Sequence, residues 1–265
     1  MRSTTALLLA SLLTTAPAKA QEQGSVPVVI DGATVDLATI TYKPRGDGPF
    51  PTLVFHHGSG SFRDPKAVAQ WFVVRGWAVI APARRGRGGS TGSDEEWLVC
   101  SEASARQGAD RALRDIEAMT PVLTAQPFVD RSRLAIGGQS RGGILSVAWS
   151  GQHPEVRAVI NFVGGWIDEP CRHSTSINQS LLNRGVAWGQ KSLWLYGDND
   201  SYYSLSHTRA NFAAFQTAGG KGVFHAYKPP AELKNGHQIG TVPQLWTADV
   251  EAYLRERGLP ADLAN

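Results

Sequence analysis

The sequence predicts an α/β fold, a mostly parallel sheet with helices on both faces and an antiparallel hairpin at its start. Three observations lead there. Residues 26–30 and 35–41 flank Asp31-Gly32, a two-residue turn that calls for positive φ, so the pair reads as a hairpin. After the hairpin, short apolar runs of strand length alternate with helical stretches, the pattern of a parallel sheet covered by helices. Within that alternation sits Gly138-Gln139-Ser140-Arg141-Gly142, between the apolar strand 133–137 and the packed helix 143–149. A serine placed there lies on a sharp, strained turn that lifts its hydroxyl above the sheet edge. The chain has 265 residues, 42% of them apolar, enough for one sizeable core, and residues 21–265 read as a single domain.

Residues 1–20 read as a targeting segment. Arg2 supplies the positive start, 6–13 the apolar middle, and Ala18-Lys19-Ala20 the small-x-small cleavage pattern. The middle is too short to cross a bilayer and no later run approaches spanning length, so an exported protein without a membrane span is expected, periplasmic or secreted. Removal of the segment takes away Arg2 and Lys19, and the formal net charge falls from +3 to +1. That balance gives no argument for a polyanionic partner, and no nucleic-acid-binding motif is present. The expected partner is a small-molecule ester; nothing in the chain indicates an oligomeric state.

Each later element has its own reason. Residues 51–55 form an apolar strand followed by His56-His57-Gly58-Ser59-Gly60. Asp64-Pro65 reads as a helix cap and a first-turn proline. A strand over 77–81 leads into a loop with Arg84, Arg85 and Arg87. These arginines either pair with Asp94, Glu95 and Glu96, or one of them grips a substrate carboxylate. The stretch 102–126 carries Ala109, Leu113, Ile116, Met119 and Leu123 at helical spacing, a core face. After a strand over 158–163, the excursion 164–190 is the longest between strands, with a short helix around 176–184, and covers a pocket or forms a tied-down surface loop. Trp166, with Trp97, Tyr202 and Tyr203, is a candidate for lining that pocket. Strands over 192–196 and 222–227 and a final helix over 243–257 complete the sheet and its cover.

A serine hydroxyl needs a base to take its proton, and the base needs a carboxylate to orient it. With this elbow the chain order is Ser, then Asp or Glu, then His. Gly197-Asp198-Asn199-Asp200 ends a strand and offers two acids. Asp200 lies farther out, where the loop can swing toward the elbow, and chains with this elbow usually place the acid at the last position of a G-x-x-D turn, so Asp200 is favoured and Asp198 remains the alternative. Of the histidines that follow, His207 falls in a helix with a solvated or capping role, and His225 alternates within a strand. His237, in the loop Lys234-Asn235-Gly236-His237-Gln238, is the expected base. Oxyanion donors are expected from the N–H of Arg141 and from the N–H of Ser59, with Gly58 as the alternative. His56 and His57 point in different directions and lack metal-ligand spacing, so no metal is expected. Export also changes how Cys100 and Cys171 read. Both loops lie at the C-terminal edge of the sheet, and in an oxidising compartment a disulfide is favoured over two buried thiols.

These pieces resemble the α/β-hydrolases, in their dienelactone hydrolase-like and prolyl-oligopeptidase-like branch. The matching residues are His56-His57-Gly58-Ser59-Gly60, Arg85-Gly86-Arg87-Gly88-Gly89-Ser90-Thr91-Gly92, Gly138-Gln139-Ser140-Arg141-Gly142-Gly143, Gly197-Asp198-Asn199-Asp200 and Gly236-His237, in the expected order. The resemblance does not imply dienelactone turnover, because dienelactone hydrolases proper use cysteine where this chain has Ser140. It lacks an N-terminal propeller of the prolyl oligopeptidase kind, which turns the expectation towards esters. The expected function is an exported serine hydrolase that cleaves carboxylic esters through an acyl-enzyme, without a cofactor. A peptidase or amidase on the same three residues, and a non-catalytic binding protein on this scaffold, are the alternatives.

Overall fold

Strands Glu22–Ile30 (β1) and Ala33–Tyr42 (β2) pair antiparallel with Ile30 opposite Ala33, leaving Asp31 and Gly32 as the turn, both at positive φ. The computed structural model describes residues 21–60, 62–96 and 100–264. The targeting segment 1–20 and Trp97 lie outside the described residues. Alternate residues of the hairpin, Val28 and Ile30 on one strand and Val35 and Leu37 on the other, are buried. The remaining strands are Phe50–His56 (β3), Ala78–Pro82 (β4), Val129–Gln139 (β5), Ala158–Phe162 (β6), Ser192–Gly197 (β7) and Gly222–Tyr227 (β8). The order across the sheet is β1-β2-β4-β3-β5-β6-β7-β8, with β2 antiparallel to β4 and every later pairing parallel. β4 and β6 are buried along their whole length because helices cover both faces, so β4 reads as an unbroken apolar run and β6 as one interrupted by Asn161.

The helices are Lys66–Val73 (α1), Glu102–Thr124 (α2), Arg141–Ser150 (α3), Ser174–Arg184 (α4), Leu205–Thr217 (α5) and Pro243–Glu256 (α6). α1 packs with α6, while α2, α3, α4 and α5 pack in succession. On the first side Trp71, Trp246 and Phe162 form an aromatic wedge, with ring centroids 5.3 Å apart from Trp71 to Trp246 and from Trp246 to Phe162. α3 is buried from end to end because sheet, α2 and α4 surround it. Among the described residues no helix is long and apolar enough to cross a membrane.

Two local expectations are corrected. α1 begins at Lys66 without a side-chain cap, and the Asp64 carboxylate instead accepts from the Tyr42 hydroxyl at 2.7 and 2.8 Å. Within 164–190, the helix expected around 176–184 begins at Ser174 as α4 and joins the helical layer. Ile177, Leu181 and Leu182 form its buried face, and that apolar side draws it onto α3. Cys100 and Cys171 are joined by a disulfide, with Cα atoms 5.1 Å apart, which ties the approach to α2 to the approach to α4.

β3 is the point where the sheet changes direction. The chain leaves β3 for β4 on one side and returns across it to β5 on the other. The loops after β3 and β5 therefore part to opposite faces, and a crevice opens at their carboxyl ends.

Candidate active site

Ser140 stands at the end of β5 and immediately before α3, with φ 57° and ψ −122°. Such a conformation costs a residue with a Cβ about 1–3 kcal/mol, and the surroundings must hold it. Its N–H donates to Phe162 O at 2.9 Å, and its carbonyl accepts from Gly143 and Ile144 in the first turn of α3. A side chain at Gly142 would place its Cβ 2.0 Å from His56 O, so the glycine lets α3 press against the end of β3.

Asp200 and His237 meet. His237 Nδ1 lies 2.8 Å from Asp200 Oδ2, and the other carboxylate oxygen accepts from the N–H groups of Tyr202 (2.8 Å) and Tyr203 (3.2 Å). The Asp200 side chain is 1% exposed. Asp198 is exposed, and among the described residues its carboxylate accepts only from the neighbouring Asn199 N–H. The two loops that carry Asp200 and His237 are laced together. Gly236 N–H donates to Asn199 O, Asn199 Nδ2 to Lys234 O, and Asn235 Oδ1 accepts from the N–H groups of Ser201 and His237. A Cβ at Gly236 would fall 2.1 Å from Asp198 O, so only glycine permits this approach. Asn199 has φ 57°, a conformation that asparagine tolerates better than most residues.

Gln139 joins this pair to the serine elbow, because its Nε2 donates to His237 O at 2.8 Å. Among the described residues Ser140 Oγ has no hydrogen-bond partner. Tyr202 covers the His237 ring at 4.5 Å between centroids.

The arginines after β4 point inward. Arg84 is fully buried and forms a two-pronged pair with Glu96, Nε to Oε1 at 2.5 Å and Nη2 to Oε2 at 3.0 Å. Its remaining donors reach His57 O at 2.8 Å and Gly58 O at 3.1 Å. Arg85 pairs with Asp115 and Asp31, and Arg87 with Asp94 and Gly60 O. The expectation of a substrate-gripping arginine is thereby corrected for these three, since carboxylates within the fold occupy them. Asp115 and Asp31 are 30 and 54 positions from Arg85, a pairing that sequence proximity does not reveal. Burial would raise the Glu96 carboxyl, but the charges of Arg84 and Arg87 outweigh it and hold it at about 2.

Trp166 is also corrected. It is 1% exposed, donates to Ala105 O and lies under the Arg141 guanidinium at 4.3 Å, so α2 and Arg141 enclose it. His207 is neither solvated nor a cap; it is buried, and its Nε2 is 3.0 Å from Asn211 Nδ2. His225 reaches Asp249 at 3.3 Å from its strand. Burial, then the charge of Arg84, holds His57 well below the usual histidine range. The neutral ring makes two contacts, Nδ1 with Gly58 O and Nε2 with the Arg84 N–H, so neither nitrogen is left for a metal.

Beside the elbow lies a cavity of about 460 Å³, lined by Phe55, Phe62 and Val68 together with Ser59, Gln139 and Gln238. Arg63, Asp64, Lys66 and Thr241 also line it, so its wall is mixed polar and apolar, and it borders the elbow through Gly58, Ser59 and Gln139.

Solved structures share this architecture at low identity. The esterase Est1E from Butyrivibrio proteoclasticus, solved with ferulic acid, superposes with a TM-score of 0.65 at 15% identity, over 88% of this chain and 98% of that one. The esterase Pf2001 from Pyrococcus furiosus gives 0.65 at 14%, over 89% and 90%. The acetyl xylan esterase 1 of Thermoanaerobacterium sp. gives 0.54 at 19%, over 82% and 80%. No curated protein sequence matches the chain. These likenesses show an α/β-hydrolase fold. A family match covers residues 63–219, more than half of the chain and the elbow with it, and on that ground this α/β-hydrolase belongs to the prolyl oligopeptidase family.

Proposed function

We propose that the chain is an exported serine hydrolase that cleaves carboxylic esters through an acyl-enzyme. One observation carries the reading: the 2.8 Å contact between His237 Nδ1 and Asp200, tied through Gln139 to a serine held at positive φ. With Nδ1–H given to Asp200, Nε2 keeps the lone pair that a base needs. Ser140 Oγ attacks the ester carbonyl and its proton passes to His237 Nε2. The carbonyl oxygen becomes an oxyanion received by the N–H groups of Arg141 and Ser59. The C–O bond then breaks and the alcohol departs with the proton from His237. A water molecule, deprotonated by the same nitrogen, attacks the acyl carbon; the acyl–Oγ bond breaks, the carboxylic acid leaves, and His237 returns the proton to Ser140 Oγ. Water and these side chains supply every proton, so the cycle needs no cofactor.

The cavity beside Ser59 and Gln139, with Phe55, Phe62 and Val68 in its wall, suits the acyl or alcohol group, and its volume has room for an aromatic ring. The esterases of similar fold support esters, and the bound ferulic acid of Est1E makes a feruloyl ester a natural member of a substrate panel. A second reading, peptidase or amidase, has the family match behind it. A fluorophosphonate probe should label Ser140 once per chain and fail to label Ser140→Ala. No labelling of the folded protein would leave a non-catalytic binding protein. A panel of p-nitrophenyl and feruloyl esters against aminoacyl p-nitroanilides then separates the two enzyme readings. Export rests on residues 1–20 and is supported by the disulfide; the exported product should begin at Gln21.

A further inference from the structure

The His57-Gly58-Ser59 loop runs directly beside the serine, since a methyl group at Gly58 would stand 3.1 Å from Ser140 Cβ. Two successive carbonyls of this loop, His57 O and Gly58 O, point at one guanidinium, that of Arg84. In a trans peptide the N–H points opposite to the C=O of the preceding residue. Holding His57 O therefore directs the Gly58 N–H away from Arg84, and holding Gly58 O does the same for the Ser59 N–H. Among the described residues neither N–H donates to a backbone acceptor. Loop backbone left to itself would rotate these peptides freely, and an oxyanion donor is useful only if its direction is set before the reaction.

Glu96 in turn sets Arg84 with two hydrogen bonds, and it touches the other donor residue as well. The Arg141 guanidinium donates to the Glu96 carbonyl, and Arg141 Nη1 lies 3.8 Å from Glu96 Oε2. One buried glutamate thus stands behind both the loop after β3 and the residue after Ser140. A buried ion pair adds little net stability over an apolar pair of similar volume, so stability alone does not account for this one. Its geometry does: only a planar fork bonds a carboxylate and two carbonyls together, and the lysine ammonium cannot.

We infer that Arg84 and Glu96 are positioning residues that aim the backbone N–H donors of the Gly58–Ser59 loop and of Arg141 at the reacting carbonyl oxygen. The inference rests on the serine-hydrolase reading above. Arg84→Lys keeps the charge beside Glu96 and loses the fork. Measured with a p-nitrophenyl ester and normalised to sites titrated by fluorophosphonate, its kcat should fall about 10²-fold, as when one oxyanion donor is removed. KM should stay within about twofold, because the ground-state carbonyl depends little on these donors. Phenylboronic acid, which forms a tetrahedral adduct with the serine, should lose affinity by the same factor as kcat/KM. A merely structural pair would lower Tm and the fraction of titratable sites while leaving kcat per site and boronate affinity unchanged; that result overturns the inference. Glu96→Gln, which retains one acceptor for Arg84, should show the same pattern at about tenfold, and decides the matter if Arg84→Lys does not fold. If neither variant folds, the pair is structural and the inference fails. A Ser140→Ala variant that still turns over ester would instead sink the serine-hydrolase reading itself, whatever Arg84 does.

Discussion

Gln139 Nε2 donates to the carbonyl oxygen of His237 at 2.8 Å, so the residue before the serine holds the loop that carries the histidine. Gln139 and His237 are 98 positions apart, and this bond links the segment that carries Ser140 to the one that carries His237. Gln139→Ala removes it and lets the imidazole drift. A displacement near 1 Å costs up to about 10²-fold in rate. kcat should fall by one to two orders of magnitude with little change in Tm, read by ester kinetics and thermal melting on the same preparation.

Ser140→Ala should abolish ester turnover, by about 10⁴-fold or more. Ser140→Gly should be equally inactive, but more stable than Ser140→Ala by about 1 kcal/mol, because glycine relieves the Cβ penalty at φ 57°. Differential scanning calorimetry of the two variants compares them. Equal melting temperatures would mean that the elbow stores no strain.

Asp200→Asn should lose several orders of magnitude in kcat, because an amide no longer stabilises the imidazolium on His237 and favours the wrong tautomer. Asp198→Asn should keep its activity and change stability by less than about 0.5 kcal/mol, as expected for an exposed side chain bonded to its neighbour. The reverse outcome would reassign the orienting acid.

The Cys100–Cys171 bridge closes a span of 71 positions. In the chain-entropy view such a crosslink stabilises by about 4 kcal/mol. Reductant, or a double Cys100→Ser, Cys171→Ser change, should lower Tm markedly. Peptide mapping without reductant should find the two cysteines in one linked fragment.

The Glu96 carboxyl sits at about 2 in the folded chain, against an ordinary value of 4.5. The folded state therefore binds this proton more weakly than the unfolded chain does. The stability it contributes is present in full above pH 4.5 and is lost as the pH falls from there through about 2. Glu96→Gln should flatten the pH dependence of the unfolding free energy in that window, measured by urea titration at a series of pH values.

Much of this was legible in the sequence because it is local. The hairpin followed from Asp31-Gly32, whose positive φ at both positions is the property that the turn demands. The serine elbow followed from glycines packed between a strand and a helix, and β8 and α6 fall where the apolar run 222–227 and the final helical stretch 243–257 were expected. Asp200 over Asp198 was a matter of reach along one turn, and the structure brings Asp200, not Asp198, to His237.

What only the tertiary structure decided are pairings between distant segments, where side-chain chemistry allows several partners and burial selects one. The sequence left Arg84, Arg85 and Arg87 between ion pairs and a substrate carboxylate. Folding placed Asp115 beside Arg85 and turned Glu96 beneath Arg84, because charges taken out of water must be paired there. Trp166 looked available for a pocket until α2 and Arg141 enclosed it. Gln139 and Asn199 fill variable positions of their motifs and Asn235 lies just outside one, yet they lace the acid, the histidine and the elbow together. Sequence patterns report what a residue does to its own neighbourhood in the chain. Which carbonyl a buried arginine or amide will find depends on the packing of the whole sheet.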